Sequence, residues 1–99
     1  MVEVEEVFKK ELSKQFYDVF IRVIVSEKST RLMEFDNKLV FEIVKNANKS
    51  LIKMLIENEF KKKVKSVSTV NNINGEKRAI VTFLEENTAS DLASELGLI

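Results

Sequence analysis

Four lysines, Lys61, Lys62, Lys63 and Lys65, fall within five positions of the stretch "EFKKKVKSVSTV", Glu59 to Val70. An ammonium group is a compact, strongly hydrated point charge, and a row of them is suited to meet phosphate. The competing account is a solvated strand edge that resists aggregation. Lys61 and Lys62 also suit the negative end of a helix macrodipole. Lys63 and Lys65 lie beyond the helix, where that account does not reach. Lys49 and Lys53 are four apart and share one helix face, an unfavourable like-charge pair that Glu57 partly offsets one turn on. Lys77 and Arg78 follow Asn74-Gly75 and are expected to add to the same end of the sheet as Lys63 and Lys65. Thr69, Asn71, Asn72 and Asn74 add neutral hydrogen-bonding groups, of a kind that contacts sugar and phosphate or simply builds turns.

Other chemistry finds little support. The chain has no cysteine and no histidine. That removes disulfides, thiol chemistry, the usual zinc ligands and the commonest general base. Asp18, Asp36 and Asp91 are scattered over different predicted elements without metal-ligand spacing. No serine sits in a nucleophile elbow, and no glycine-rich phosphate loop occurs. No catalytic residue, metal site or cofactor is expected. The phenylalanines fall mostly on predicted core faces and the only tyrosine is Tyr17, so no aromatic platform for single-stranded nucleic acid is expected.

Charge is unevenly spread along a chain whose net charge is zero. Residues 1–25 hold four basic and five acidic side chains, residues 26–84 twelve and seven, and residues 85–99 none and four. The central block is therefore basic and the tail acidic. Phosphate responds to local surface within a Debye length, about 8 Å at physiological salt, so a neutral molecule can carry a basic face.

The elements that must position these groups follow from periodicity. Asn74-Gly75 lies between the strand-like runs Val64–Ile73 and Lys77–Leu84, a strong hairpin signal. Ala79, Val81 and Phe83 share one face of the second run, and Ile80 and Thr82 the other. Val64 and Val67 are three apart, which predicts a bulge or a central strand partly covered on both faces. Lys38–Val44, with Leu39, Phe41 and Ile43 inward, and the β-branched run Phe20–Val25 complete the strands.

Lys49–Phe60 predicts a helix capped by Asn48, with Ile52, Leu55, Ile56 and Phe60 as its apolar stripe. A shorter helix is expected from Glu27 to Phe35, capped by Ser26, with Leu32 and Phe35 facing in. A third begins after Thr88 or Ser90, turns Leu92, Ala93 and Leu96 inward, and stops at Gly97. Val4, Phe8, Leu12 and Phe16 recur every four residues, which predicts a fourth helix over residues 2–20. Such a helix either packs on the domain or docks on a partner.

The expected fold class is α+β: an antiparallel sheet of three to four strands covered by helices on one face, with an extra N-terminal helix. Residues 1–20 form an N-terminal helical extension and residues 21–99 the domain. No apolar run is long enough to span a bilayer, and no signal-peptide core precedes the domain, so an intracellular protein without membrane insertion is expected.

Two stretches in order, "IRVIVSEKS" and "NKSLIKMLIENEFKKKVKSVSTV" followed by "GEKRAIVTF", resemble the large-subunit ribosomal protein twenty-three family, the universal protein beside the polypeptide exit tunnel. Ser26-Glu27-Lys28 resembles the family's Thr/Ser-Glu-Lys. Ile52, Lys53, Ile56, Glu57 and Phe60 match its basic helix in register, and Lys63-Val64 with Val67-Ser68-Thr69 its following strand. The likeness covers about residues 21–99. The chain departs at Val23, Lys62 and Ser68, where the family usually has proline, valine and asparagine. Its short turn at Gly75 looks like that of archaeal and eukaryotic members.

The resemblance implies a structural, non-enzymatic constituent of the large ribosomal subunit in the cytoplasm. It implies large-subunit ribosomal RNA and neighbouring ribosomal proteins as partners, with chaperones or signal-recognition factors docking near the tunnel exit. By the same resemblance Ser26, Lys28 and Ser29 would anchor the first helix to RNA. Lys49 and Lys53 would track phosphates, and Lys63, Lys65, Thr69, Lys77 and Arg78 would continue that surface. Glu27 would mark the docking area, as well as being an acid favoured at a helix N-terminus. The second reading is a diverged, non-ribosomal protein-interaction module on the same fold, with residues 2–20 as its docking helix.

Overall fold

The computed structural model describes residues 14–96. Residues 14–19 are helical and lead into β1 (Phe20–Val23). Then follow α1 (Glu27–Asp36), β2 (Lys38–Ile43), α2 (Lys49–Phe60), β3 (Val64–Asn71), β4 (Lys77–Phe83) and α3 (Thr88–Glu95). The strands form one antiparallel sheet in the order β1-β2-β4-β3, the expected α+β class.

Period-two alternation decides the sheet's faces. Leu39, Phe41 and Ile43 of β2 sit beside Val81, Ala79 and Lys77 of β4, and Val67 and Thr69 of β3 sit beside Val81 and Ala79. Ile52, Leu55 and Ile56 of α2 and Leu92 and Ala93 of α3 close over this face and share its buried core. The expected bulge is present: the β3–β4 register shifts between Val64 and Ser66, which leaves Lys65 as the extra residue. A second bulge, between Phe20 and Arg22, has no counterpart in the hydrophobic pattern.

The local signals act as expected. The Asn48 side chain caps α2 by accepting from the Leu51 N–H. Ser26 caps α1 reciprocally with Ser29: each side-chain oxygen accepts from the other residue's backbone N–H. At the hairpin, the Gly75 N–H donates to the Asn72 carbonyl, and Gly75 itself takes the left-handed conformation (φ 83°). Asn74 is not among the positive-φ residues, so the connection is a turn closed by a left-handed glycine rather than a two-residue Asn-Gly loop.

Two inward placements are corrected. Met33, not Phe35, anchors α1 in the core, and Phe35 is 79% exposed. At 3.6 residues per turn, Phe35 stands about 200° round the helix from Met33. Leu32 is only half-buried. Leu96 is exposed, because α3 is anchored one turn earlier by Leu92 and Ala93. The expected stop at Gly97 and the repeat through Val4, Phe8 and Leu12 lie outside the described residues. Of the segment before β1, Phe16 and Val19 belong to the same buried core as the sheet.

Candidate nucleic-acid interface

α2 and β3 run antiparallel, so the cations they carry spread along the pair. Lys49 and Lys53 are exposed on α2. At its other end Lys61 turns left-handed (φ 59°) and closes the helix with its N–H on the Glu57 carbonyl. This turn redirects the chain so that Lys61, Lys62 and Lys63 line one open depression together with Glu57. Glu57 is held there because its carboxylate accepts from the Val64 N–H at 3.0 Å. Lys65 projects from the bulge and is exposed.

Lys77 and Arg78 do not join that end. Val64 pairs with Phe83, whereas Val70 pairs with Arg78. Six residue steps along β3 separate the two groups, about 20 Å. The correction follows from the hairpin itself, since the return strand starts where β3 finishes. The two residues also part from each other by alternation. Lys77 lies on the helix-covered face, and its ammonium donates to the carbonyls of Ala47 (2.7 Å) and Lys45 (3.2 Å). It therefore straps the loop before α2 to the sheet. Replacing it by methionine keeps most of the stem and removes both bonds. Lys77→Met is expected to lower stability by about 1–2 kcal/mol, read from the midpoint of a urea titration.

Arg78 faces the opposite side, beside Val70 and Ile80. Its Nη2 makes one long contact, 3.4 Å, to Glu76, and its Nε is buried without a partner. Around the same region a groove of about 190 Å³ opens between the start of α1 and this second face of the sheet. Ser26, Lys28 and Ser29 line it from one side, and Val70, Arg78 and Ile80 from the other. Residues fifty positions apart in sequence thus converge on one concavity.

The remaining expected site residues are placed as follows. Ser26 and Ser29 spend their hydroxyls on the α1 cap, and Ser29 is buried. Lys28 is exposed at the groove. Thr69 lies half-buried on the helix-covered face. Glu27 is exposed and pairs with Arg31 at 3.0 Å one turn on. A cation outside the expected set, Arg22, is engaged by Glu42 at 2.6 Å, and that hydrogen bond and charge raise its pKa above the ordinary arginine value. Among the described residues no cluster of acidic side chains could hold a metal ion. No helix among them is long and apolar enough to cross a membrane.

The family described as Ribosomal protein L23 matches residues 18–90. A large ribosomal subunit protein uL23 from Caldivirga maquilingensis is 37% identical over 81 residues, which cover 82% of this chain and 94% of that protein. Its counterpart from Methanococcus aeolicus is 37% identical over 82 residues, covering 83% and 95%.

Proposed function

The chain belongs to the ribosomal protein L23 family, and from that premise we propose that it is a structural, non-enzymatic constituent of the large ribosomal subunit, cytoplasmic, that binds large-subunit ribosomal RNA. The observation that carries the RNA contact is the line of cations along α2 and β3: exposed Lys49 and Lys53 on the helix, exposed Lys61 and Lys63 with half-buried Lys62 at its end, and exposed Lys65 on the bulge. Spread along one edge of the molecule, they suit successive phosphates better than a single bound anion. Lys28 and Arg78 form a separate basic point on the other side of the sheet. The lack of an exposed aromatic platform on the sheet favours recognition by shape and phosphate over base stacking on rings. Position beside the exit tunnel, and docking of chaperones or targeting factors around exposed Glu27, belong to the same proposal.

The test is binding of the full chain to a large-subunit ribosomal RNA fragment over a salt series. Each phosphate neutralised contributes a slope of about −0.7 to −0.9 in log affinity against log salt. The double variant Lys53→Glu, Lys65→Glu is expected to weaken binding and flatten that slope by about 2. Wild-type binding that is weak and indifferent to both reversals would remove this surface as the RNA contact.

A further inference from the structure

Two cations of the binding surface sit apart from the lysine line, and they sit at the mouth of a cavity. We propose that the groove between α1 and the second face of the sheet receives one unstacked nucleotide of the bound RNA. Its base rests on Val70, Ile80 and Leu32, and its phosphate lies between Lys28 and Arg78. The inference rests on the RNA-binding reading above and names a mode of contact that the lysine line alone does not imply.

Three observations carry it. The first is size and shape. About 190 Å³ is below the roughly 300–1,000 Å³ of pockets for drug-sized ligands, and suits one planar base. The second is the lining. Val70 is 45% exposed although it stands in a strand beside Arg78, and with Ile80 and Leu32 it forms apolar walls under a basic rim. Cations meant only for duplex phosphates do not need a recess with apolar walls behind them. A nucleotide, apolar on its faces and anionic at one end, satisfies both parts.

The third is Arg78. Its Nε has no acceptor, and its one side-chain contact, to Glu76, is long. A phosphate oxygen offers what Nε lacks, and the planar guanidinium can meet a phosphate through two parallel N–H donors. Reaching it requires the guanidinium to turn away from Glu76, which the 3.4 Å contact opposes weakly. Lys28, on the first turn of α1 and exposed, supplies the second charge from the facing wall. Aliphatic walls hold a base by contact area rather than ring stacking, so the gain is expected at the low end of base-stacking values.

The experiment uses the full chain bound to large-subunit ribosomal RNA, probed nucleotide by nucleotide with a reagent that acylates flexible 2′-hydroxyls. In wild type, an unpaired nucleotide reactive in free RNA is expected to lose reactivity about fivefold on binding, the factor that corresponds to the low end of base stacking. Val70→Glu, at an exposed strand position, and Lys28→Glu, from the opposite wall, are each expected to restore its reactivity within a complex that still forms. Lys53→Glu with Lys65→Glu is expected to weaken the complex while leaving that protection in whatever complex remains. Protection confined to paired RNA, or protection of the unpaired nucleotide that survives both groove variants, overturns the groove proposal and leaves the RNA reading standing. No salt-dependent RNA binding by wild type overturns both. If unpaired nucleotides are indifferent and Val70→Glu instead releases a neighbouring ribosomal protein from assembled subunits, the groove holds a protein side chain and the proposal fails.

Discussion

Replacing Asn37 by glycine is expected to cost about 2–3 kcal/mol of folding stability, and by alanine about 1 kcal/mol more. Asn37 ends α1 in the left-handed conformation (φ 57°), and its backbone N–H closes the helix on the Leu32 carbonyl. Its side chain then ties three elements together. Nδ2 donates to the Phe83 carbonyl at 3.0 Å and to the Glu85 carbonyl, and Oδ1 accepts from the Ala89 N–H at 2.8 Å. The last bond is notable because α3 lacks a cap of its own: Asn87 at its start is left-handed and makes no side-chain cap bond. Asn37 thus caps a helix that begins 51 residues later, at Thr88. Glycine keeps the backbone conformation and removes all three bonds, so it isolates them. Alanine adds the left-handed penalty. Aspartate keeps the acceptor for Ala89 but turns a carboxylate toward two carbonyls, and is expected to be at least as damaging as glycine. Urea unfolding of the three variants checks the order. A glycine variant within about 0.5 kcal/mol of wild type, the range of an ordinary surface change, would mean the clasp contributes nothing.

Asn37 also marks where reading the sequence stops working. The elements themselves are written locally. Leu39, Phe41 and Ile43 alternate, Ile52, Leu55 and Ile56 recur at helical spacing, and Ser26 and Asn48 stand where caps belong. Each signal needs only its neighbours, and each element from β1 to β4 lies within two residues of its expected bounds. The Asn37 bonds join residues 46 to 52 positions apart, and nothing near Asn37 encodes their partners. Phe35 shows the same limit from the other side. A large apolar residue on a short helix reads as core, yet only the sheet decides which face of α1 is covered, and it covers Met33. The orphan position of an asparagine between a helix and a strand was the one available hint, since asparagine tolerates the left-handed region.

The candidate interface divides along the same line. That the central block is basic, and that Lys63 and Lys65 lie beyond a helix end, is legible in composition and spacing. Which cations cooperate is a matter of register. Pairing of Val70 with Arg78 sends Arg78 about 20 Å from the lysine run. Alternation then separates Arg78 from Lys77, whose ammonium is spent on two carbonyls. One expected surface becomes a lysine line along α2 and β3, a structural strap, and a groove that borrows Lys28 from α1. Charge counting cannot distinguish these, because all three use the same side-chain chemistry.

The role of the segment before β1 rests on Phe16. Its ring stacks on Phe20 at 4.5 Å and meets Phe60 edge-on at 5.7 Å, while Phe20 in turn meets Phe41 edge-on at 5.1 Å. The chain of rings runs from the segment through β1 to the centre of the sheet and to the end of α2. Phe16 and Val19 are buried in that core, whereas Tyr17 between them is exposed, with its hydroxyl donating to Glu59 at 3.4 Å. A helix that merely waited for a partner would not bury two side chains among those of the sheet. Phe16→Ala is accordingly expected to cost about 3–4 kcal/mol, from lost area and the cavity left between Phe20 and Phe60. Phe35→Ala, an equal change at an exposed site, is expected to stay within about 0.5 kcal/mol. Thermal and urea unfolding compare the two. Equal, small effects would detach the segment from the domain and favour the docking-helix reading. A large effect at Phe16 alone makes the segment part of the fold that holds α2, and the lysines on α2, in place.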